Sequence, residues 1–77
     1  MNIITIKSNL ENLTPKATQE HKRILEVFEA VEIAVTQLRN LDALHYLRDD
    51  LGLMNKLILK LPSSTQTLYT KWDTLLP

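Results

Sequence analysis

The chain has 77 residues, which is enough for one small domain and too few for two. Nine basic side chains balance nine acidic ones, so the formal net charge of zero argues against the basic surface that nucleic-acid binding normally requires. The absence of cysteine excludes disulfides and thiolate metal sites. No apolar run of about 18 residues and no signal-peptide pattern is visible, so we expect no membrane span and a cytoplasmic location.

The first 14 residues do not favour a single structure. Ile3, Ile4 and Ile6 favour an extended segment by propensity, but the same residues fit the end of a helix equally well. Ser8 and Glu11 have the spacing of a capping box, which predicts the start of a short helical turn. We therefore separate an N-terminal segment, residues 1–14, from a helical domain over residues 15–77.

A long helix is predicted over residues 15–41. Thr14 is suited to the N-cap and Pro15 to the first helical position. The apolar residues that follow recur at helical spacing and predict one buried stripe. That stripe consists of Ala17, Ile24, Phe28, Val31, Val35 and Leu38, flanked by Leu25, Val27, Ala34 and Leu41.

A second, strongly apolar helix is predicted over residues 49–61. Asp49 and Asp50 stand at its start, where carboxylates favour the positive end of the helix dipole. Gly52 is the only glycine of the chain. Because glycine inside a helix costs about 1 kcal/mol relative to alanine, Gly52 indicates either a delayed helix start or a close backbone approach. One face of this helix carries Leu51, Met54, Ile58 and Leu61.

A third helix is predicted over residues 64–75, after an abrupt corner. Pro62 cannot continue the preceding helix. Ser63 and Gln66 then form a second capping-box pattern, and Leu68 and Trp72 follow at helical spacing. The predicted fold is therefore all-α, a small helical bundle with one long helix and two shorter C-terminal helices.

No catalytic, cofactor-binding or metal-ligating constellation is recognisable in the sequence. His21 and His45 lie far apart and lack a nucleophile or ligand partner at a useful spacing, so we interpret them as solvated or partly packed. We predict no enzymatic activity and no cofactor. The feature that bears on function is a surplus of apolar helix surface in a small chain, which serves either its own core or a core shared between chains. The residues predicted to be core or interface are Leu51, Met54, Ile58, Leu61, Leu68 and Trp72.

Several of these residues also carry a family resemblance. Leu38-Arg39-Asn40-Leu41, then the run from Leu57 to Thr65 with its Lys-Leu-Pro, then Trp72, resembles the Gag-like region of Pao/BEL-type retrotransposon polyproteins. The resemblance covers roughly residues 15–73. In one departure, Asp42-Ala43 stands where the family pattern has a glycine after the Leu-x-x-Leu exit.

The resemblance implies a capsid-type assembly domain, similar to the C-terminal region of a Gag capsid. Such a domain binds copies of itself, as a dimer or a higher oligomer, and performs no catalysis. The alternative is a helical adaptor that binds a helix of another protein in a groove. A third, weaker alternative is a small nucleic-acid-binding helical module, which the neutral charge and the single cation (Lys71) of the last predicted helix disfavour.

Overall fold

A computed structural model describes residues 2–76 and confirms the all-α fold, with one long helix and shorter C-terminal helices. These residues contain no β-strand, and none of their helices is long and apolar enough to cross a membrane. The helices are α1 (Ile3–Glu11), α2 (Glu20–Asn40), α3 (Leu44–Arg48), α4 (Leu51–Leu59), α5 (Ser63–Gln66) and α6 (Trp72–Leu75).

Most of the N-terminal segment forms the helix α1, so the extended alternative is wrong for Ile3, Ile4 and Ile6. Asn2 caps α1, its side chain accepting a hydrogen bond from the Thr5 amide at 2.8 Å. Ile6 and Leu10, four residues apart, are buried against the rest of the protein. The predicted helix start at Ser8 is also wrong, because Ser8 lies inside α1.

The long helix begins at Glu20, five residues later than Thr14 and Pro15 predicted. Residues 13–18 are irregular and link α1 to α2, which pack against each other. Within this link the Lys16 amide donates to the Glu26 carboxylate at 2.7 Å. That side-chain bond, together with the need for the chain to turn back, competes with the local helix signal.

The predicted stripe of the long helix is confirmed at its centre and shifted at its edges. Val31, Val35 and Leu38 are buried as expected. Val27 and Ala34, predicted to flank the stripe, are also buried. The flanking residues Leu25 and Leu41 are exposed.

The C-terminus of α2 shows how the chain turns at Asp42-Ala43 without the glycine that the Gag-like pattern has at this point. Asp42 has a φ of 53°, the only positive φ among the described residues other than glycine. The Asp42 amide donates to the Arg39 carbonyl, and the Ala43 amide donates to the Leu38 carbonyl at 2.8 Å. This is a Schellman motif, which usually places glycine at the left-handed position. In this chain Asp42 occupies that position, because aspartate tolerates the left-handed conformation better than most residues.

The third predicted helix is two short helices separated by residues 67–71. Tyr69 lies in this break, and its ring packs edge-on against Phe28 of α2 with centroids 5.2 Å apart. The second capping box is wrong, since Gln66 donates its side-chain amide to the Leu61 carbonyl at 3.0 Å and Pro62 precedes α5. The packing of Tyr69 against Phe28 therefore interrupts the predicted helix in its middle, and helical structure begins again only at Trp72.

Candidate association surface

Asp50 joins three elements at the N-terminus of α4. Its carboxylate accepts a hydrogen bond from the Leu53 amide at 3.0 Å, which caps the helix. The same carboxylate forms an ion pair with Lys7 of α1 at 3.0 Å. Its backbone carbonyl accepts from the Trp72 indole at 3.3 Å. Asp50 thereby links α1, α4 and α6.

The same contacts shift the acidity of Asp50. The hydrogen bond from the Leu53 amide, and then the ion pair with Lys7, hold the pKa of the Asp50 carboxyl below its ordinary value. Both contacts favour the charged form. Asp50 is therefore ionised at neutral pH and contributes its cap and its ion pair there.

A second ion pair, between Glu11 and Lys56, ties α1 to α4 further along both helices. Between the two pairs lies a shallow groove with a cavity volume of about 410 Å³. Apolar and charged side chains both line it: Ile4, Lys7, Ser8, Glu11, Asp50, Gly52, Leu53 and Lys56.

The outward face of α4 carries two exposed leucines on either side of the polar residue Asn55. Leu51, Asn55 and Leu59 follow at steps of four and form one ridge along the helix. Leu51 is 67% exposed and Leu59 is 71% exposed. Gly52 is exposed beside this ridge, and Ile58 is half-buried at its other edge. We call these five residues the α4 face.

Gly52 is the second residue of α4, inside its first turn. Gly52 does not have a positive φ, and a Cβ built on it would meet only the Asp50 Oδ1 atom, at an ordinary 3.6 Å. An alanine would therefore fit within the chain and would favour the helix. Of the two interpretations of this glycine, the delayed helix start is confirmed, because α4 begins at Leu51 rather than at Asp49, whereas the close backbone approach has no partner among residues 2–76.

The predicted core-or-interface residues fall into three groups. Met54, Leu61 and Trp72 are buried in the core. Ile58 packs against the core while staying partly exposed. Leu51 and Leu68, at 67% and 65% exposure, contribute nothing to the core of this chain. The helix that bears Leu51 begins two residues later than predicted, and the helix predicted for Leu68 is interrupted there.

Sequence reasoning overlooked two exposed apolar residues, Leu59 and Ile4. Ile4 is 79% exposed and lines the groove across from Gly52. The signal for Leu59 was available, because its spacing of eight residues from Leu51 places both on one side of a helix. The signal for Ile4 was not, because the sequence left the structure of that segment open.

A second exposed apolar residue cluster lies on α2. Ile33 is 60% exposed and borders shallow depressions with Leu13 and Ala30 on one side and with Leu10 on the other. This cluster is separate from the α4 face in sequence and offers a matched comparison for experiments.

Residues 2–76 contain no group of three or more His, Cys, Asp or Glu side chains that could hold a metal ion. His21 and His45 are exposed. No protein-family model, curated protein or solved structure matches this chain.

Proposed function

We propose that this chain is a non-enzymatic, cytoplasmic association module that binds copies of itself, as expected of a retroelement Gag capsid-type domain. The observation that carries the proposal is the α4 face, where Leu51 and Leu59 are each about two-thirds exposed, opposite the buried side of the helix that Leu53, Met54 and Leu57 form. These two leucines lie on one side of the helix, and neighbouring exposed apolar side chains are typical of protein–protein contact. The Gag resemblance, which includes Leu57 and Lys-Leu-Pro at the end of this helix, supports the same function.

The free energy available from burying these leucines suits a weak, reversible association. Fully burying a leucine side chain is worth about 1.5–3 kcal/mol, and a symmetric pair of chains would bury four leucines that are now largely exposed. Association costs at least about 4 kcal/mol in lost freedom of motion. Because these leucines are about two-thirds exposed, their burial is worth about 4–8 kcal/mol in all, which leaves at most about 4 kcal/mol. We therefore expect a dimer or higher oligomer that forms in the millimolar range and dissociates on dilution.

Sedimentation velocity across a hundredfold range of protein concentration tests this function. We expect the sedimentation coefficient to rise with concentration. The double variant Leu51→Ser, Leu59→Ser should stay monomeric over the same range. The matched control is Leu25→Ser, which replaces a leucine of α2 that is 56% exposed and should associate like the wild type.

A wild-type chain that stays monomeric at every concentration contradicts self-association. That result favours the adaptor alternative, in which the groove between α1 and α4 receives a helix of another protein. Added RNA should leave the sedimentation profile unchanged. An RNA complex that weakens steeply with salt would instead identify a nucleic-acid-binding module.

A further inference from the structure

We propose that two copies of this chain exchange their α1 helices, and that in the exchanged dimer α2 begins at Pro15 instead of Glu20. This association goes beyond the proposed function, because it does not use the α4 face. It follows from a helix-start signal that the single chain leaves unused, and from a site on α2 and α4 that each chain fills with its own α1. We call that site, which α1 covers, the α1 site.

Residues 14–19 carry a helix signal that the single chain does not use. Thr14 is suited to the N-cap and Pro15 to the first helical position. Three of the next four residues favour a helix by propensity. Residues 13–18 are nevertheless irregular, and α2 begins at Glu20. The single chain therefore leaves a favourable local structure unformed.

The docking of α1 on its own chain prevents that structure. The Lys16 amide lies 2.7 Å from the Glu26 carboxylate, and Leu13 borders the same depression as Ala30. A helix from Pro15 would separate Lys16 from Glu26 by about 15 Å along its axis. Pro15 would lie about 22 Å from Ala30, whereas the chain from Leu13 to Pro15 spans at most about 7 Å. An α2 that begins at Pro15 therefore pulls Leu13 and α1 away from their own site.

A second copy allows both structures at once. The chain from α1 through the link runs antiparallel to α2, since Leu10 borders a depression with Ala34 and Lys16 binds Glu26. A chain that continues straight from α1 into a longer α2 needs no turn, and it carries its α1 to another copy. When that copy returns its own α1, both sites are filled and the pair closes with two-fold symmetry. The local helix signal and the docking of α1 then agree.

The contacts that hold α1 are the same in the exchanged pair as in the single chain. α1 buries two apolar side chains. Its Lys7 forms an ion pair with Asp50. Its Glu11 forms an ion pair with Lys56. Exchange keeps these contacts and adds helix at residues 15–19, against the entropy lost when two chains associate. Because α1 must leave one site before it enters another, exchange is slower than contact between exposed surfaces.

Carbodiimide cross-linking of the wild-type chain tests the exchange, because this reagent joins a lysine to a carboxylate that it contacts. The Lys56 and Glu11 side chains are 55% and 48% exposed, so the reagent reaches them. An equal mixture of isotopically labelled and unlabelled chains is unfolded in urea, refolded at millimolar concentration and separated by gel filtration. Both fractions are then cross-linked and digested, and the joined peptides are identified by mass spectrometry.

The label in the joined peptides reports which chain each α1 occupies. We expect a slowly dissociating dimer whose Glu11–Lys56 cross-links include pairs of one labelled and one unlabelled peptide. In the monomer fraction both peptides should always carry the same label, because α1 docks on its own chain. A dimer without mixed pairs overturns the exchange. Refolding that yields only monomer overturns it as well.

Gln19→Pro separates the longer α2 from the single-chain fold. In the single chain Gln19 has a φ of −78°, which suits proline, and its amide makes no hydrogen bond within residues 2–76. In a helix from Pro15 the same position is interior, where proline removes a hydrogen bond and clashes with the preceding turn. We expect the monomer to melt no lower than the wild type, and the dimerisation constant to fall at least about hundredfold. Gln19→Ala, the matched control, should dimerise like the wild type.

Glu26→Ala acts in the opposite direction. It removes the carboxylate that accepts a hydrogen bond from the Lys16 amide in the single chain. We expect the dimerisation constant to rise about fivefold or more, because each of the two separate chains loses this bond. Glu29→Ala removes an exposed carboxylate about one turn further along α2, and should change the constant less than about twofold.

The α4 face distinguishes this inference from the proposed function. The double variant Leu51→Ser, Leu59→Ser should lose the rapid association and keep the slow dimer. The isolated dimer should also show more helix by circular dichroism than the monomer, because residues 15–19 become helical. A slow dimer that the double variant loses, or that Gln19→Pro leaves unchanged, overturns the exchange and leaves the proposed function in place. A wild type without rapid association contradicts only the proposed function.

Discussion

Replacing Trp72 by alanine should destabilise the protein by about 3–5 kcal/mol, the usual cost of truncating a buried tryptophan. Trp72 is 4% exposed, and its indole donates to the Asp50 carbonyl at 3.3 Å. That carbonyl also accepts from the Met54 amide at 3.2 Å, so the substitution leaves it one partner. The expected loss therefore comes mainly from the cavity and from lost burial rather than from an unsatisfied carbonyl.

The total stability of a 77-residue domain is about 4–12 kcal/mol, so this loss removes a large share of it. Urea unfolding followed by circular dichroism is the suitable assay, because Trp72 is the only tryptophan and its substitution removes the fluorescence signal. With a urea dependence of about 1 kcal/mol per molar, the midpoint should fall by about 3 M or more, or the variant should be unfolded without urea.

Two controls make the test specific. Trp72→Phe keeps an aromatic ring but loses the indole donor, and should cost about 1–2 kcal/mol. Leu68→Ala changes a side chain that is 65% exposed, and should shift stability by less than about 0.5 kcal/mol. A Trp72→Ala variant as stable as Leu68→Ala would refute the placement of Trp72 in the core.

Three further outcomes are expected from the structure. Folding lowers the pKa of Asp50, so the carboxylate stabilises the protein above its ordinary pKa of 3.8, and this contribution is lost as the pH falls below that value through the folded pKa. Asp50→Asn should flatten this acid dependence of the free energy of unfolding, measured by urea unfolding between about pH 2 and pH 7. Asp42→Gly should raise the free energy of unfolding by about 0.5–1 kcal/mol because Asp42 has a φ of 53°, whereas Asp42→Ala should not raise it. The Glu11–Lys56 pair is solvent-exposed, so a double-mutant cycle with both residues changed to alanine should give a coupling below about 1 kcal/mol at low salt and less at high salt.

Several features of this protein follow from the sequence alone. Apolar residues at helical spacing determined the all-α class and the buried centre of α2 at Val31, Val35 and Leu38. The apolar helix stops before Pro62, since proline cannot donate the backbone hydrogen bond that continuation requires, although α4 ends at Leu59, two residues before the predicted end at Leu61. These are local constraints, which neighbouring residues impose whatever the rest of the chain does.

Only the tertiary structure decided where the helices begin and which apolar residues are covered. Both capping boxes, at Ser8 and Ser63, gave way to other contacts, because a cap contributes only about 1 kcal/mol and packing contributes more. Leu68 and Trp72 belong to the same helical pattern, yet Trp72 is buried and Leu68 is not. Spacing fixes which residues share a helix face, whereas burial depends on whether another element packs against that face, and that is settled by contacts between residues distant in the chain.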